Sequence, residues 1–332
     1  MAVRRLGQLS LADRLAERGG GRAAGLARID ALVDWRALAT LLVPLDPSRR
    51  GAPGYPALMM FKALLLQQWY GLSDPGLEEA LADRVSFRRF VGLSLSDETP
   101  DHSTISRFRA ALAADGLSTR LFEAINRQMD AKGLLVRKGT LIDASLVEAQ
   151  VKRPRKPDDA TAPAAAPRPA SKLVASPADP EATWAKKGSR RYFGYKAHVG
   201  VDLGSNIIRR ARLTTAAVAD TSMAEDLIVG DEGAVYADKA YDTKARRQAL
   251  TARGVKDRIA HRPNKHHALT HWQEKRNDGI AHRRSAVERV FAIAKCLMGW
   301  RRVRYRGLQR NATHLDLLCT AINLRRWAVL MP

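Results

Sequence analysis

The sequence predicts an α/β protein: a mixed sheet flanked by helices, preceded by a small all-helical region. Three observations point there. Up to about residue 134 the apolar residues recur at helical spacing. From Gly139 the texture changes to β-like runs, three in succession and then alternating with helical stretches. A Pro- and Ala-rich tract separates the first of those runs from the others. A length of 332 residues with 45% hydrophobic content suffices for a large buried core, in one domain or two.

In the helical region, Leu58, Met59, Phe61, Leu65, Leu66 and Trp69 mark one helix, with Pro56 near its start and Gly71 just past its end. A second helix follows Ser73-Asp-Pro-Gly76, and a third runs through Ser86-Phe-Arg-Arg-Phe90. Thr99-Pro-Asp-His-Ser-Thr-Ile-Ser-Arg-Phe-Arg109 supplies capping residues for a fourth, which ends near Leu112. Ser103, Thr104, Ser106, Arg107 and Arg109 fall in its first turns, where hydroxyls and cations can meet a DNA groove or its phosphates. Residues 1–134 are therefore expected to form one unit, suited to DNA contact or dimerisation, and 135–332 a second.

In that second unit the expected strands are 139–146, 194–203, 206–214, 233–238 and 255–260, with helices at about 220–228, 242–252, 283–298 and 312–329. Three successive strands suggest an antiparallel meander; the later alternation suggests parallel additions to the same sheet. The tract Val151-Lys-Arg-Pro-Arg-Lys-Pro-Asp-Asp-Ala160 and its continuation hold too few large apolar side chains to offset ordering entropy. A disordered basic loop is expected over about 151–180, in contact with DNA or simply solvated.

Charge narrows the partner. With 56 Lys+Arg against 34 Asp+Glu, the net charge is +22, a field that favours a polyanion, and nucleic acid before a membrane surface. The two cysteines, Cys296 and Cys319, lie in apolar helical patterns and read as reduced core thiols. No 18-residue uncharged run occurs, and Met1–Ser10 lacks the apolar segment of a signal peptide, so the expectation is a cytoplasmic, nucleoid-associated protein without a membrane partner.

Three acidic residues stand where two-metal phosphodiester chemistry needs them. Asp143 ends the apolar run Gly139-Thr-Leu-Ile, Asp238 ends Ala234-Val-Tyr-Ala, and Glu288 lies within the helical stretch 284–295. Ions about 3.5–4 Å apart need anionic oxygens from more than one element, and hard ions such as Mg²⁺ prefer carboxylates. Arg284 precedes Glu288 by four residues and Lys295 follows it by seven, so one helical face carries an acid between two cations suited to phosphate. Bland readings stand beside this one: Arg284 and Glu288 as an ordinary surface pair, and Asp238, like Asp242, as turn chemistry.

The strings Leu141-Ile-Asp-Ala-Ser-Leu-Val-Glu-Ala149, Phe193-Gly-Tyr-Lys-Ala-His198, Val235-Tyr-Ala-Asp-Lys-Ala-Tyr-Asp242 and Arg284-x₃-Glu288-x₆-Lys295 carry a further signal. Together they closely resemble bacterial insertion-sequence transposases of the fifth family, within the larger fourth-type grouping. Tyr55–Leu64 and Thr99–Arg109 resemble the helical domain that precedes the core in that family, so the resemblance runs from about residue 30 to 328. It implies a ribonuclease-H-like core with an Asp-Asp-Glu triad of Asp143, Asp238 and Glu288, two Mg²⁺ ions for which Mn²⁺ can substitute, and a homodimer on double-stranded DNA. Ala281 departs from the signature, which often has Tyr three residues before the arginine; the phosphate contact attributed to that tyrosine has no counterpart here. Other readings are a transposase-derived DNA-binding protein without catalysis and a ribonuclease-H-like nuclease without strand transfer.

Two further stretches invite assignment. His261–His271 is rich in histidine but has no cysteine pattern for a transition-metal site. Trp300-Arg-Arg-Val-Arg-Tyr-Arg306 interleaves cations with aromatics, so Arg301, Arg302, Arg304 and Arg306 are expected at DNA phosphates beside stacked bases; a basic turn with a core-facing Trp is the alternative.

Overall fold

The computed structural model describes residues 4, 6–8, 21–46, 54–114, 116–151, 176–263 and 268–332. Helices α1 (Gly21–Leu32), α2 (Trp35–Leu42), α3 (Ala57–Tyr70), α4 (Asp74–Asp83), α5 (Val85–Val91), α6 (His102–Ala114) and α7 (Leu117–Ala131) form the first half. Their ends follow local chemistry. Asp34 accepts hydrogen bonds from the Arg36 and Ala37 amides at the start of α2, and Ser73 accepts one from the Gly76 amide at the start of α4. Gly71 closes α3 at φ +64°, a left-handed position that glycine takes without a Cβ penalty. Eleven of the fourteen residues of α3 are buried, which makes it the central helix of this half.

The sheet comprises β1 (Thr140–Glu148), β2 (Thr183–Lys187), β3 (Arg190–Asp202), β4 (Ile208–Thr215), β5 (Ala234–Ala237) and β6 (Lys256–Ile259). Its order is β2-β3-β1-β5-β6, with β4 also paired to β3. β3 runs antiparallel to β1, β2 and β4, whereas β5 is parallel to β1 and β6 to β5. The meander and the parallel additions thus meet at β1. The parallel steps run through α8 (Ala224–Leu227) and α9 (Lys244–Ala252), because parallel neighbours need a crossover.

Helices cover both faces. Ile142, Leu227, Val235, Ala237, Leu250 and Ile259 pack on the α8/α9 side. Leu141, Val147 and Tyr236 pack on the other side with α10 (His271–Ala292) and the last helix, α11 (Leu308–Leu330). Buried over most of its length, α11 is held by polar anchors to both halves of the chain. Trp69 Nε1 donates to Ala321 O at 2.8 Å, the Ile208 amide donates to Asn323 Oδ1 at 2.9 Å, and Ser118 and Thr119 donate to Asp316 Oδ2. Each of these buried groups is satisfied, which removes the desolvation cost of enclosing it. The helical half and the sheet thereby share one continuous core.

Several expectations need correction. β2 was not expected: its Lys-rich sequence gives little alternation, and the strand exists because Trp184 packs against Phe193 across the β2–β3 pair. Most of the tract expected to be a disordered loop, 152–175, lies outside the described residues. Residues 176–180, assigned to the same loop, are instead anchored. Asp179 is buried and accepts from Tyr195 Oη at 2.7 Å, and Glu181 just beyond accepts from the Leu308 amide at the start of α11. α10 begins at His271 rather than near 283, started by a capping box of Thr270 and Gln273, and continues into a π-helical turn, Ile293–Leu297. Cys319 is buried as expected, but Cys296 in that turn is exposed. Among the described residues no helix is long and apolar enough to cross a membrane.

Candidate active site

β1 and β5 pair with Thr140 opposite Val235 and Leu141 opposite Tyr236. The same offset sets Asp143 level with Asp238, which keeps an extended backbone (φ −78°, ψ 175°) one residue beyond β5. The two-residue period of strands then turns both carboxylates to the face that Leu141 and Tyr236 share with α10. This is also where the direction of strand addition changes, a place where open α/β sheets gather ligands at strand ends.

Asp143 Oδ1 accepts from the Ala144 amide at 2.9 Å and pairs with Arg284 Nη2 at 3.2 Å. Burial pushes its pKa above the usual carboxylate range and the negative charge of Asp238 adds to this, against the pull of Arg284 and the Ala144 N–H. Asp238 Oδ1 accepts from the Ala240 amide at 2.8 Å and caps the 3₁₀ turn Lys239–Tyr241. The turn-chemistry reading of Asp238 therefore holds alongside its place level with Asp143.

α10 lies across β1 and β5. Arg283 Nη1 donates to Tyr236 Oη at 2.6 Å, and Arg284 reaches Asp143. From the π-helical turn, Lys295 Nζ donates to Ser145 Oγ at 2.6 Å and to Leu146 O at 3.0 Å. Ser145 shares the face of Asp143, so two cations from one helix meet one stretch of one strand. Burial, with the charges of Lys187 and Arg301, lowers the Lys295 pKa. Glu288 lies one turn after Arg284 and is exposed; the bland Arg284–Glu288 pair does not form, since Arg284 pairs with Asp143. Two buried polar atoms here have no hydrogen-bond partner among the described residues, Arg284 Nε and Tyr241 Oη. The Tyr241 pKa is raised by burial and by the charges of Asp220, Asp143 and Asp238.

The basic cluster divides. The Glu148 amide donates to Arg301 O and the Val303 amide to Glu148 O at 2.8 Å, so this segment docks on the end of β1. Arg301, Arg302 and Arg306 are exposed, with Arg302 3.6 Å from Glu148. Arg304 turns inward and donates to Leu72 O at 2.6 Å. Trp300 is buried, and Tyr305 packs beneath the Arg109 guanidinium at 4.5 Å, so both aromatics serve packing rather than base stacking. In the helical half, Arg107 is exposed and donates to Thr104 Oγ1, whereas Arg109 is buried in a two-pronged contact with Asp74 at 2.7 and 2.5 Å. Arg109 and Arg304, both expected at DNA, are thus taken up inside the fold.

Sequence reasoning missed three features here. Tyr241 stood in a quoted string without a role, Ser145 gave no signal because a serine in a strand is common, and the basic tip of the β2–β3 hairpin was hidden with β2. In the histidine-rich stretch, His266 and His267 lie outside the described residues.

The chemistry of the donors fits a hard divalent cation: two level carboxylates, one carrying an unrepaid burial cost, and an exposed carboxylate on the helix above. They are not a finished cage. Among the described residues no three His, Cys, Asp or Glu side chains come together as they would around an ion, and a guanidinium stands beside Asp143 instead.

Two family models match the chain. One, described as "Transposase DDE domain", matches residues 135–324, and the other, "Transposase domain (DUF772)", matches residues 17–111. No solved structure matches.

Proposed function

We propose, for a chain that belongs to the Transposase DDE domain family, that it cuts DNA at the ends of an insertion sequence and joins those ends to target DNA. The observation that carries this reading is the level placement of Asp143 and Asp238 beneath a helix that sets Arg284 on Asp143 and whose last turn sets Lys295 on Ser145. The mixed sheet with helices on both faces supports the ribonuclease-H-like core that the resemblance to the fifth family implies.

Asp143, Asp238 and Glu288 would hold two Mg²⁺ ions, or Mn²⁺ in their place. Bound ions would supply an activated water and stabilise charge on the attacking and leaving oxygens. The residues themselves do the rest. Asp238 presents a carboxylate whose direction is fixed by the Ala240 N–H. Arg284 balances Asp143 until phosphate and cation arrive, and then turns its guanidinium, including the unpartnered Nε, to a phosphate oxygen. Lys295 adds a second phosphate contact from its seat on Ser145. Arg301, Arg302 and Arg306 continue the positive track past β1 and supply mostly sequence-independent affinity.

End recognition is assigned to residues 1–134, where Ser103, Ser106 and Arg107 line the exposed side of α6. The chain acts as a homodimer on double-stranded DNA. A strand-transfer assay tests the reading: the full-length protein with Mg²⁺, an end-bearing duplex and a target should yield nicked ends and joined products. Nicks without joining would leave a nuclease, and binding without either product a DNA-binding protein.

A further inference from the structure

We infer that the β2–β3 hairpin is a phosphate-gripping ribbon, a separate DNA contact beside the carboxylate pair. It rests on the reading of DNA as the substrate and adds a site which that reading does not contain. The hairpin tip is Lys186-Lys187-Gly188-Ser189-Arg190-Arg191, and all six residues are exposed. Its register sets Lys187 directly opposite Arg190 and Lys186 opposite Arg191. Like charges directly opposite on paired strands are destabilising. Among the described residues no carboxylate pairs with any of the four. A hairpin tip that carries this repulsion with no described carboxylate against it is complementary to something polyanionic.

The base of the hairpin is built to hold the tip in place. Trp184 packs on buried Phe193 across the strands at 5.3 Å between ring centroids. At Gly194 the backbone of β1 comes so close that a Cβ would collide with Val147 O. These contacts seat the hairpin against the end of β1, the same end on which Arg301 and Arg302 dock. Lys187 is near enough for its charge to bear on both Asp143 and Lys295. A two-stranded ribbon of this kind has the width to lie in a DNA groove with its cations against the flanking phosphates.

The test uses the full-length protein and measures affinity against salt for an end-bearing duplex and a random duplex. Changing Lys186 and Lys187 to Gln, or Arg190 and Arg191 to Gln, should weaken both duplexes alike. Each double change should flatten the slope of log affinity against log salt by about two, roughly one for each phosphate no longer neutralised. Lys187→Arg should retain the wild-type slope. Should a Gln variant lose the wild-type melting transition, Ser189→Cys in a Cys296→Ser background replaces it, carrying a photo-crosslinker at the tip that is expected to label the duplex. An unchanged slope, a change confined to oligomeric state, or a tip that fails to label bound duplex overturns the hairpin assignment while leaving the transposase reading intact. A wild-type protein that binds neither duplex overturns both.

Discussion

Two arginine–aspartate pairs in this molecule have the same chemistry and opposite character. In the helical half, Arg109 grips both oxygens of Asp74, Gln67 donates to the same carboxylate at 2.6 Å, and the guanidinium sits over the Tyr305 ring. Burial pushes the Asp74 pKa up, but the Arg109 and Gln67 hydrogen bonds outweigh it and the net shift is downward. On the central strand of the sheet, Arg284 meets Asp143 through one contact at 3.2 Å, its Nε is buried without a partner among the described residues, and the net shift of Asp143 is upward. A structural pair saturates its donors and acceptors; a carboxylate left underserved beside another carboxylate is poised for a ligand the fold does not supply.

The largest effect that would break this contrast is on catalysis. Asp143→Asn and Asp238→Asn each remove a charge while keeping shape, so cleavage of end DNA should fall by orders of magnitude while duplex binding survives. Stability separates the two regions further. Asp143→Asn relieves a burial cost and should leave the melting temperature unchanged or raised, the trade expected of a site strained for function. Asp74→Asn strands a buried guanidinium and should lower it. A wild-type cleavage rate for Asp143→Asn, or a large loss of its stability, would place Asp143 with Asp74 as a structural acid.

Next in size is Arg109→Ala. It leaves Asp74 half-buried without its main partner and removes the cation over Tyr305, for a loss of about 2–4 kcal/mol. Urea midpoints measure it. Binding to duplex at matched folded fraction should not change, because this arginine faces the core.

The contrast also marks what could be read from the sequence. The periodic elements were legible: the central helices, the strand runs before Asp143 and Asp238, and the helix of Glu288 all have local patterns. The fate of each arginine was not. Arg304 and Arg306 are two residues apart in one basic run, yet one is half-buried against Leu72 and the other exposed. Only the docking of residues 301–303 on β1 decides that, and such docking is a long-range fact. β2 escaped for the same reason: its reason to exist is Phe193 across the hairpin, not its own residues. The early start of α10 escaped because the stretch from His271 to His282 is polar and shows little apolar stripe; its capping box was the one local cue. Charge periodicity did suggest Arg284 and Lys295 on one face, but their partners, Asp143 and Ser145, depend on how the helix crosses the strand.

A third prediction uses a buried histidine on the strand next to β1. His198 lies opposite Ala144, is fully buried, and makes a 2.9 Å contact with Thr214 Oγ1. Burial lowers its pKa to about 4, against the opposing charge of Asp220. The unfolded chain takes up this proton near pH 6.5 and the folded chain only near pH 4, so stability is lost as pH falls through that window. The ceiling is on the order of 3 kcal/mol at about 1.4 kcal/mol per pKa unit. His198→Gln should flatten the acid limb of stability against pH in part, since His314 titrates in the same direction. An acid limb that is the same in both proteins would show that His198 is charged or accessible in the fold.

The smallest effect, and the finest test of the contrast, lies within the basic run itself. Arg301 and Arg302 are exposed at the end of β1, whereas Arg304 donates to a backbone carbonyl of the helical half. If exposure marks the DNA track, changing Arg301 and Arg302 to Ala should leave the melting temperature nearly unaltered. It should flatten the salt dependence of duplex binding by about one unit of slope for each phosphate left without its cation. Arg304→Ala should do the reverse, leaving the slope as it was and lowering stability by about 1–3 kcal/mol, because Leu72 O loses its donor and the space beside Tyr305 empties. Calorimetry and salt titration on the same three proteins separate these outcomes. Equal slopes throughout would move the DNA track away from the end of β1, and a slope change in Arg304→Ala alone would mean that DNA enters between the two halves of the chain.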